Sequence, residues 1–169
     1  MKQKFLKYSV AVSVLLGAFL ATANAVQALE YVSVADSSAI LYDANSTKAK
    51  KLFVISRFTP LELVVNLKDW IKVRDSSGTM AWIERRAVSD KRYVVVTVPF
   101  ATVRQAPEPN APVLFQVSQN VAMESLGING GGWIKARHQD GSIGFIKSIE
   151  VWGAECSSPL KIQSSSLTC

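Results

Sequence analysis

The sequence predicts an all-β protein built from two copies of one small unit. Three observations carry this prediction. Trp70-Ile71-Lys72-Val73-Arg74 returns as Trp133-Ile134-Lys135-Ala136-Arg137, 63 residues later. Short runs of β-branched and aromatic residues recur between clusters of Gly, Pro, Asp and Ser, which is the pattern of a small barrel or sandwich. Beyond the first 25 residues no window of about 11 residues carries a helical period.

The echo extends along the whole unit. Tyr31-Val32 returns as Tyr93-Val94, Leu52-Phe53 as Leu114-Phe115 and Glu62 as Glu124, each at a spacing of 62. Gly78 returns as Gly141 and Trp82-Ile83 as Phe145-Ile146, at 63. One residue inserted just before the second tryptophan explains the change. A long self-match at a fixed period means a duplicated structural unit. Copy one runs from Tyr31 to Val88 and copy two from Tyr93 to Trp152, joined by Ser89-Asp90-Lys91-Arg92. So short a joint cannot be a long flexible tether. A domain of about 60 residues also buries only about 60% of its unfolded surface, so contact between the copies would help each of them.

Residues 1–25 are expected to be a cleaved signal peptide. Lys2, Lys4 and Lys7 make a basic start, Val10 to Ala21 is apolar apart from Ser13, and Ala23-Asn24-Ala25 offers a small-residue exit. The apolar stretch is short for a spanning helix, which needs about 20 residues. The expected location is therefore periplasmic or secreted, with no stable membrane anchor after cleavage. The full chain carries a formal charge of +6; without the three leader lysines, 16 basic residues face 13 acidic ones, a net +3. The only basic pairs are Lys50-Lys51, Arg85-Arg86 and Lys91-Arg92. A nucleic-acid surface needs a denser basic stripe, so nucleic acid is excluded as a partner. Weak attraction to acidic envelope polymers remains.

Within copy one, Leu52-Phe53-Val54-Ile55 and Leu61-Glu62-Leu63-Val64-Val65 read as strands, separated by a turn at Thr59-Pro60. The clearest element is a hairpin. Period-2 alternation puts Ile71 and Val73 on one face of the 70–74 strand, and Trp70, Lys72 and Arg74 on the other. Asp75-Ser76-Ser77-Gly78 reverses the chain and Met80-Ala81-Trp82-Ile83 pairs back. Copy two opens on the β-branched run Tyr93 to Val98. Its hairpin points Ile134 and Ala136 inward, turns at His138-Gln139-Asp140-Gly141, and returns through Ile143 to Ile146. Ile128-Asn129-Gly130-Gly131-Gly132 is a glycine-rich loop beside it, fit either to adapt to a ligand or simply to close a hairpin.

On these motifs the chain resembles the bacterial SH3-like (Src-homology-3-like) domains, of a secreted tandem type. That family runs roughly Val-Arg…Pro, then Val-Leu, then Gly-Trp-x-x-Val, then Gly-x-x-Gly-Trp-Val. Copy two supplies Val103-Arg104 with Pro107, Pro112-Val113-Leu114, Gly132-Trp133-Ile134-Lys135-Ala136 and Gly141-Ser142-Ile143-Gly144-Phe145-Ile146. Copy one supplies Asp69-Trp70-Ile71-Lys72-Val73 and Gly78-Thr79-Met80-Ala81-Trp82-Ile83, and Trp152-Gly153 resembles the ending of the tandem subgroup. The resemblance implies two tandem SH3-like β-barrels covering the mature chain except residues 153–169, a Ser-rich tail. It also implies peptidoglycan or its peptide stems as the first ligand, in a cell-wall-binding module.

Copy one departs from the pattern. Leu41-Tyr42 and Asn45 replace the Val-Arg…Pro element, and Ala81 replaces a glycine, so that position need not take φ > 0 in copy one. Ala39-Ile40-Leu41-Tyr42-Asp43 is similar to the Ala-Leu-Tyr-Asp-Tyr signature of eukaryotic proline-binding SH3 domains. Trp82-Ile83-Glu84-Arg85-Arg86-Ala87, however, lacks the Pro and final Tyr that line their groove, and polyproline recognition needs such an aromatic-lined surface. Copy two keeps the family pattern and gains the glycine loop, so it is the copy expected to bind if only one does.

The chain is expected to be non-enzymatic, with no cofactor and no metal. His138 is the single histidine, and it sits in a hairpin turn where copy one has Asp75. One histidine leaves no two-histidine metal motif and no nucleophile–base pair. The ligand-binding candidates are Tyr42, Trp70, Trp82, Trp133 and Phe145, with Lys135 and Arg137 beside them, because aromatic faces next to cations suit a peptide or a glycan with acidic groups. The competing expectation is that these rings build the core, since so small a barrel needs large side chains inside. Two functions follow. One is an exported binding module of the cell envelope. The other is an interaction domain for a periplasmic protein such as a sensor ectodomain or an envelope hydrolase. Cys156 and Cys169 form the last feature. A disulfide between them would close a 14-residue loop and restrict the tail by roughly 3 kcal/mol; free thiols or pairing between chains are the alternatives.

Overall fold

The computed structural model describes residues 29–154. The expected leader and the Cys156/Cys169 pair lie outside the described residues. Within them the protein is all-β: two seven-stranded antiparallel sheets joined by a few residues. Among the described residues no helix is long and apolar enough to cross a membrane.

The first sheet uses β1 (Tyr31–Val34), β2 (Ser38–Tyr42), β3 (Lys51–Ser56), β4 (Pro60–Asn66), β5 (Trp70–Arg74), β6 (Met80–Glu84) and β7 (Val88–Ser89), in the order β3-β2-β6-β5-β4-β1-β7. The second uses β8 (Tyr93–Val96), β9 (Phe100–Arg104), β10 (Val113–Ser118), β11 (Ala122–Asn129), β12 (Trp133–Arg137), β13 (Ile143–Lys147) and β14 (Val151–Trp152), in the equivalent order β10-β9-β13-β12-β11-β8-β14. A single 3-10 turn precedes the last strand of each sheet, at Arg85–Ala87 and Ser148–Glu150. β4 and β11 each bend at a bulge, between Leu63 and Val65 and between Ser125 and Gly127. A bulge raises the local twist, and here each bulged strand passes from one neighbour to the next, β4 from β1 to β5 and β11 from β8 to β12.

Ile71, Val73, Ile134 and Ala136 all point inward, as the alternation requires, and none exceeds 1% exposure. The first core is Val32, Val34, Ala39, Leu41, Leu61, Ile71, Val73, Ala81, Ile83 and Ala87. In the second, Val103 and Ala136 stand for Leu41 and Val73, Met123 stands for Leu61, and Phe115 packs against the cluster where its equivalent Phe53 is exposed in copy one. Both buried clusters are aliphatic apart from Met123. Trp133 is buried at 5% exposure, whereas Trp70 and Trp82 are half-buried outside the first cluster.

The early loops show how little the sequence drift of copy one costs. Asp43 N–H donates to Lys50 O (3.1 Å), Ser46 to Ala44 O (2.8 Å) and Ala49 to Ser46 O (3.1 Å). Gln105, Glu108 and Ala111 repeat these bonds to Pro112, Ala106 and Glu108. Copy one thus keeps the loop without the proline of copy two, helped by the Lys50 N–H bond to Asp43 Oδ1 at 3.0 Å. Position 144 also gains a physical reason. Gly144 does not adopt a left-handed φ. A Cβ there would meet Val103 Cγ1 at 2.4 Å and Arg104 O at 2.9 Å, so close approach of β9 to β13 excludes a side chain. Ala81 fills the equivalent place in copy one.

Both hairpin turns close on a glycine in the left-handed region, Gly78 and Gly141, but different side chains hold them. Asp75 Oδ1 accepts the N–H groups of Ser77 (2.8 Å) and Thr79 (3.0 Å). In copy two Asp140 Oδ1 accepts the Ser142 N–H at 2.8 Å, and His138 Nδ1 lies 3.1 Å from the same oxygen. The Ser142 bonds foremost, then His138, hold the Asp140 carboxyl below its ordinary range. A carboxylate lowered by folding stabilises the fold above its unfolded pKa of about 4, and that contribution disappears as pH falls through the folded value. The 138–142 turn is therefore expected to loosen below about pH 4, read as lost amide protection at His138 and Ser142. Unchanged protection through that window contradicts the assignment.

The copies touch through a compact set of contacts. Tyr31 packs edge-on against Trp152 with ring centroids 5.2 Å apart, and Phe58 stacks on Tyr93 at 4.5 Å. Arg92 Nη1 donates to Tyr31 O at 2.6 Å, and Ser125 N–H to Arg92 O at 3.0 Å. Lys91 pairs with Glu124 at 3.2 Å and covers the Tyr93 ring. The joint is therefore pinned from both sides. Phe58 has a left-handed φ of 69°, a conformation that strains a bulky residue, and its stack on Tyr93 offsets the strain. The equivalent position is Asn120, with φ 66° and a side chain that tolerates this region.

Candidate functional site

The outer face of each sheet is where the alternating strands send their second set of side chains. In copy one, Tyr42 lies opposite Trp82 across β2 and β6, and Trp82 lies opposite Lys72 across β6 and β5. Tyr42 also meets Trp70 edge-on at 5.4 Å. Lys72 Nζ stands 6.0 Å above the Trp82 ring. The result is a continuous patch of three rings and one cation. Tyr42 is 5% exposed and serves as its floor, while Trp70 and Trp82 are half-buried and offer ring surface to solvent. The carboxylate beside it, Glu84, is taken by Arg86 at 2.6 Å. Arg85, at the rim, donates to Asn66 Oδ1 at 2.9 Å.

Copy two uses the same positions differently. Phe145 stands at the place of Trp82 and lies between Lys135 and Arg104, its partners on β12 and β9. Arg104 replaces Tyr42, and Lys147 replaces Glu84. Lys147 lies opposite Trp133, with its Nζ 5.9 Å above the indole. Trp133, expected as a binding residue, is only 5% exposed. The glycine loop borders this indole: Asn129 pairs opposite Trp133, and a Cβ added at Gly131 would stand 4.0 Å from its Cδ1. The loop thus closes a hairpin over the indole. Arg137 is also committed elsewhere, to Glu124 at 3.3 Å, as Arg74 is to the buried Glu62 in copy one. These two cross-strand pairs explain why Glu62/Glu124 and Arg74/Arg137 repeat. They support the sheets; of the predicted residues in copy two, Lys135 is exposed, while Phe145 and the Glu124-paired Arg137 are half-buried.

The geometry thus joins Tyr42, Trp70 and Trp82 in copy one, and Phe145 and Lys135 in copy two. Two residues escaped the sequence reading, Arg104 and Lys147. Their signal was present in the repeat, as the partners of Tyr42 and Glu84, but only the strand register places them on one face. His138 sits in its turn beside Asp140, 5.9 Å from the Phe115 ring, away from either patch.

Comparison with known proteins bears on the fold. No curated protein matches the chain. Among solved structures it is similar to NlpC2 from Trichomonas vaginalis (14% identity, 73% of this chain and 47% of that one, TM-score 0.34). It is also similar to NlpC1 from the same organism (15%, 81% and 50%, TM-score 0.35). A third is an NlpC/P60 family protein from Bacillus cereus (14%, 72% and 55%, TM-score 0.34). The chain spans about half the length of these structures. The model of the bacterial SH3 domain matches twice, over residues 35–90 and 97–153. Those two matches fall on the two sheets and cover most of the chain: it belongs to the bacterial SH3 domain family and carries the domain in tandem.

Proposed function

We propose that the protein is an exported, non-enzymatic binding module of the cell envelope that recognises peptidoglycan or its peptide stems. The observation that supports this most is the position of the rings. Both cores are complete without an aromatic residue in their buried clusters, so Trp70 and Trp82 are not needed to fill them. Half-buried rings gathered with a cation on a sheet face form a surface suited to stacking on a sugar or a peptide plane. The expected leader supplies the compartment, and the single histidine, His138, lies in a hairpin turn away from both patches.

Sedimentation with purified cell-wall sacculi at low salt tests the reading. The chain is expected to be depleted from the supernatant. A chain that stays fully in solution overturns the wall-binding function.

A further inference from the structure

The two outer faces differ in charge at matched positions, and the difference has a chemical meaning. In copy one the face carries Lys72 alone, because Glu84 is neutralised by Arg86 at 2.6 Å. In copy two the same positions are Lys135 and Lys147, and Arg104 is added where copy one has Tyr42. The three cations frame Phe145: Lys135 and Arg104 are its cross-strand partners, and Lys147 lies one pair further along the same strand. Among the described residues none of the three is paired with a carboxylate. Arg104 spends one N–H on Ala111 O at 2.7 Å, which fixes the guanidinium and leaves further donors. Lys147 rests over Trp133. The one acidic residue close by on β11, Glu124, already holds Arg137 and Lys91. A row of uncompensated cations around a half-buried ring is complementary to carboxylates carried on an apolar backbone.

We propose that the β9-β13-β12 face of copy two binds an extended acidic peptide, its carboxylates on Lys135, Lys147 and Arg104 and an apolar residue on Phe145. Neighbouring strands are about 4.8 Å apart, so an extended chain crossing them can set an apolar residue over Phe145 and the carboxylates of flanking same-face residues on the surrounding cations. A phosphate polymer would satisfy the cations but leave Phe145 exposed, and three cations make a sparse stripe for so dense a polyanion. The tandem then presents two chemistries, stacking in copy one and carboxylate pairing in copy two. The proposal deepens the wall-binding reading, since it rests on the same outer faces, but it can fail independently.

The test is fluorescence anisotropy with a labelled peptide repeating Glu-Gly-Ala-Gly, which puts glutamate and alanine on one face when extended, measured against its glutamine counterpart at low salt. The glutamate peptide is expected to bind at least about tenfold more tightly, as charge-assisted bonds require. Lys135→Glu/Lys147→Glu should abolish that preference, while Trp82→Ala in copy one should leave it intact. Equal binding of the two peptides overturns the proposal. So does a glutamate preference that survives Lys135→Glu/Lys147→Glu, or tighter binding of a polyphosphate chain than of the peptide. Peptide binding that persists in a chain unable to sediment with sacculi supports the carboxylate face and overturns the wall function alone.

Discussion

Gly153→Ala is expected to destabilise the tandem by about 3 kcal/mol, lowering the melting temperature by on the order of 10 °C. Gly153 has a left-handed φ of +100° and lies in the contact between the copies. A Cβ there would stand 2.7 Å from Pro60 Cβ and 2.9 Å from Tyr93 O. Pro60 cannot swing away, because its ring is part of β4, and Tyr93 O is backbone. The added methyl must therefore part the copies, and with them the Tyr31–Trp152 and Phe58–Tyr93 ring contacts. Gly78→Ala is the control. Gly78 has a similar φ of +87° but open space around it, so only backbone strain of about 1 kcal/mol is expected. Thermal unfolding followed by circular dichroism compares the two. If Gly153→Ala melts no earlier than Gly78→Ala, the contact between copies contributes nothing to stability. The Trp152-Gly153 pair that closes copy two thus has a mechanical role: it seats copy two on Tyr31 and Pro60.

Trp70→Ala/Trp82→Ala is expected to weaken binding to wall material by roughly 10- to 100-fold, the range for losing aromatic anchors from an interface. Stability should fall far less than for a core truncation, because neither indole belongs to the buried cluster. Lys72 loses its ring and Tyr42 is uncovered, but Leu41, Ile71 and Ile83 remain packed beneath. Retained sedimentation with sacculi by a folded double variant removes copy one from the binding surface.

The duplication and the inward positions of the central hairpin were legible in the sequence for a simple reason. A strand with one buried face shows its alternation directly, and Ile71, Val73, Ile134 and Ala136 obey it. The identical Trp-Ile-Lys motif nevertheless hides two different environments. Trp70 is half-buried and Trp133 is covered, because the residue inserted in the glycine loop lengthens the β11–β12 hairpin beside the second indole. The expectation that copy two is the better binding copy rests on motif agreement and the glycine loop, and part of that motif agreement reports a backbone need, the close approach at Gly144. Arg137 read as a binding cation because its partner Glu124 is distant in sequence and adjacent only through the register of β11 and β12. The contact between copies joins Tyr31 near one end of the described chain to Trp152 near the other, a pairing that no local pattern encodes.

The chain contains four tryptophans, and each has a distinct place: Trp70 and Trp82 on the copy-one face, Trp133 beneath the glycine loop, and Trp152 in the contact between copies. Their indole N–H groups are four separate reporters in one NMR spectrum. Titration with soluble peptidoglycan fragments is the most direct test of the central claim, that ligand is held on the outer aromatic face. The Trp70 and Trp82 signals should shift with added fragments while Trp152 stays in place. Shifts at Trp152 with Trp70 and Trp82 unmoved would contradict the claim.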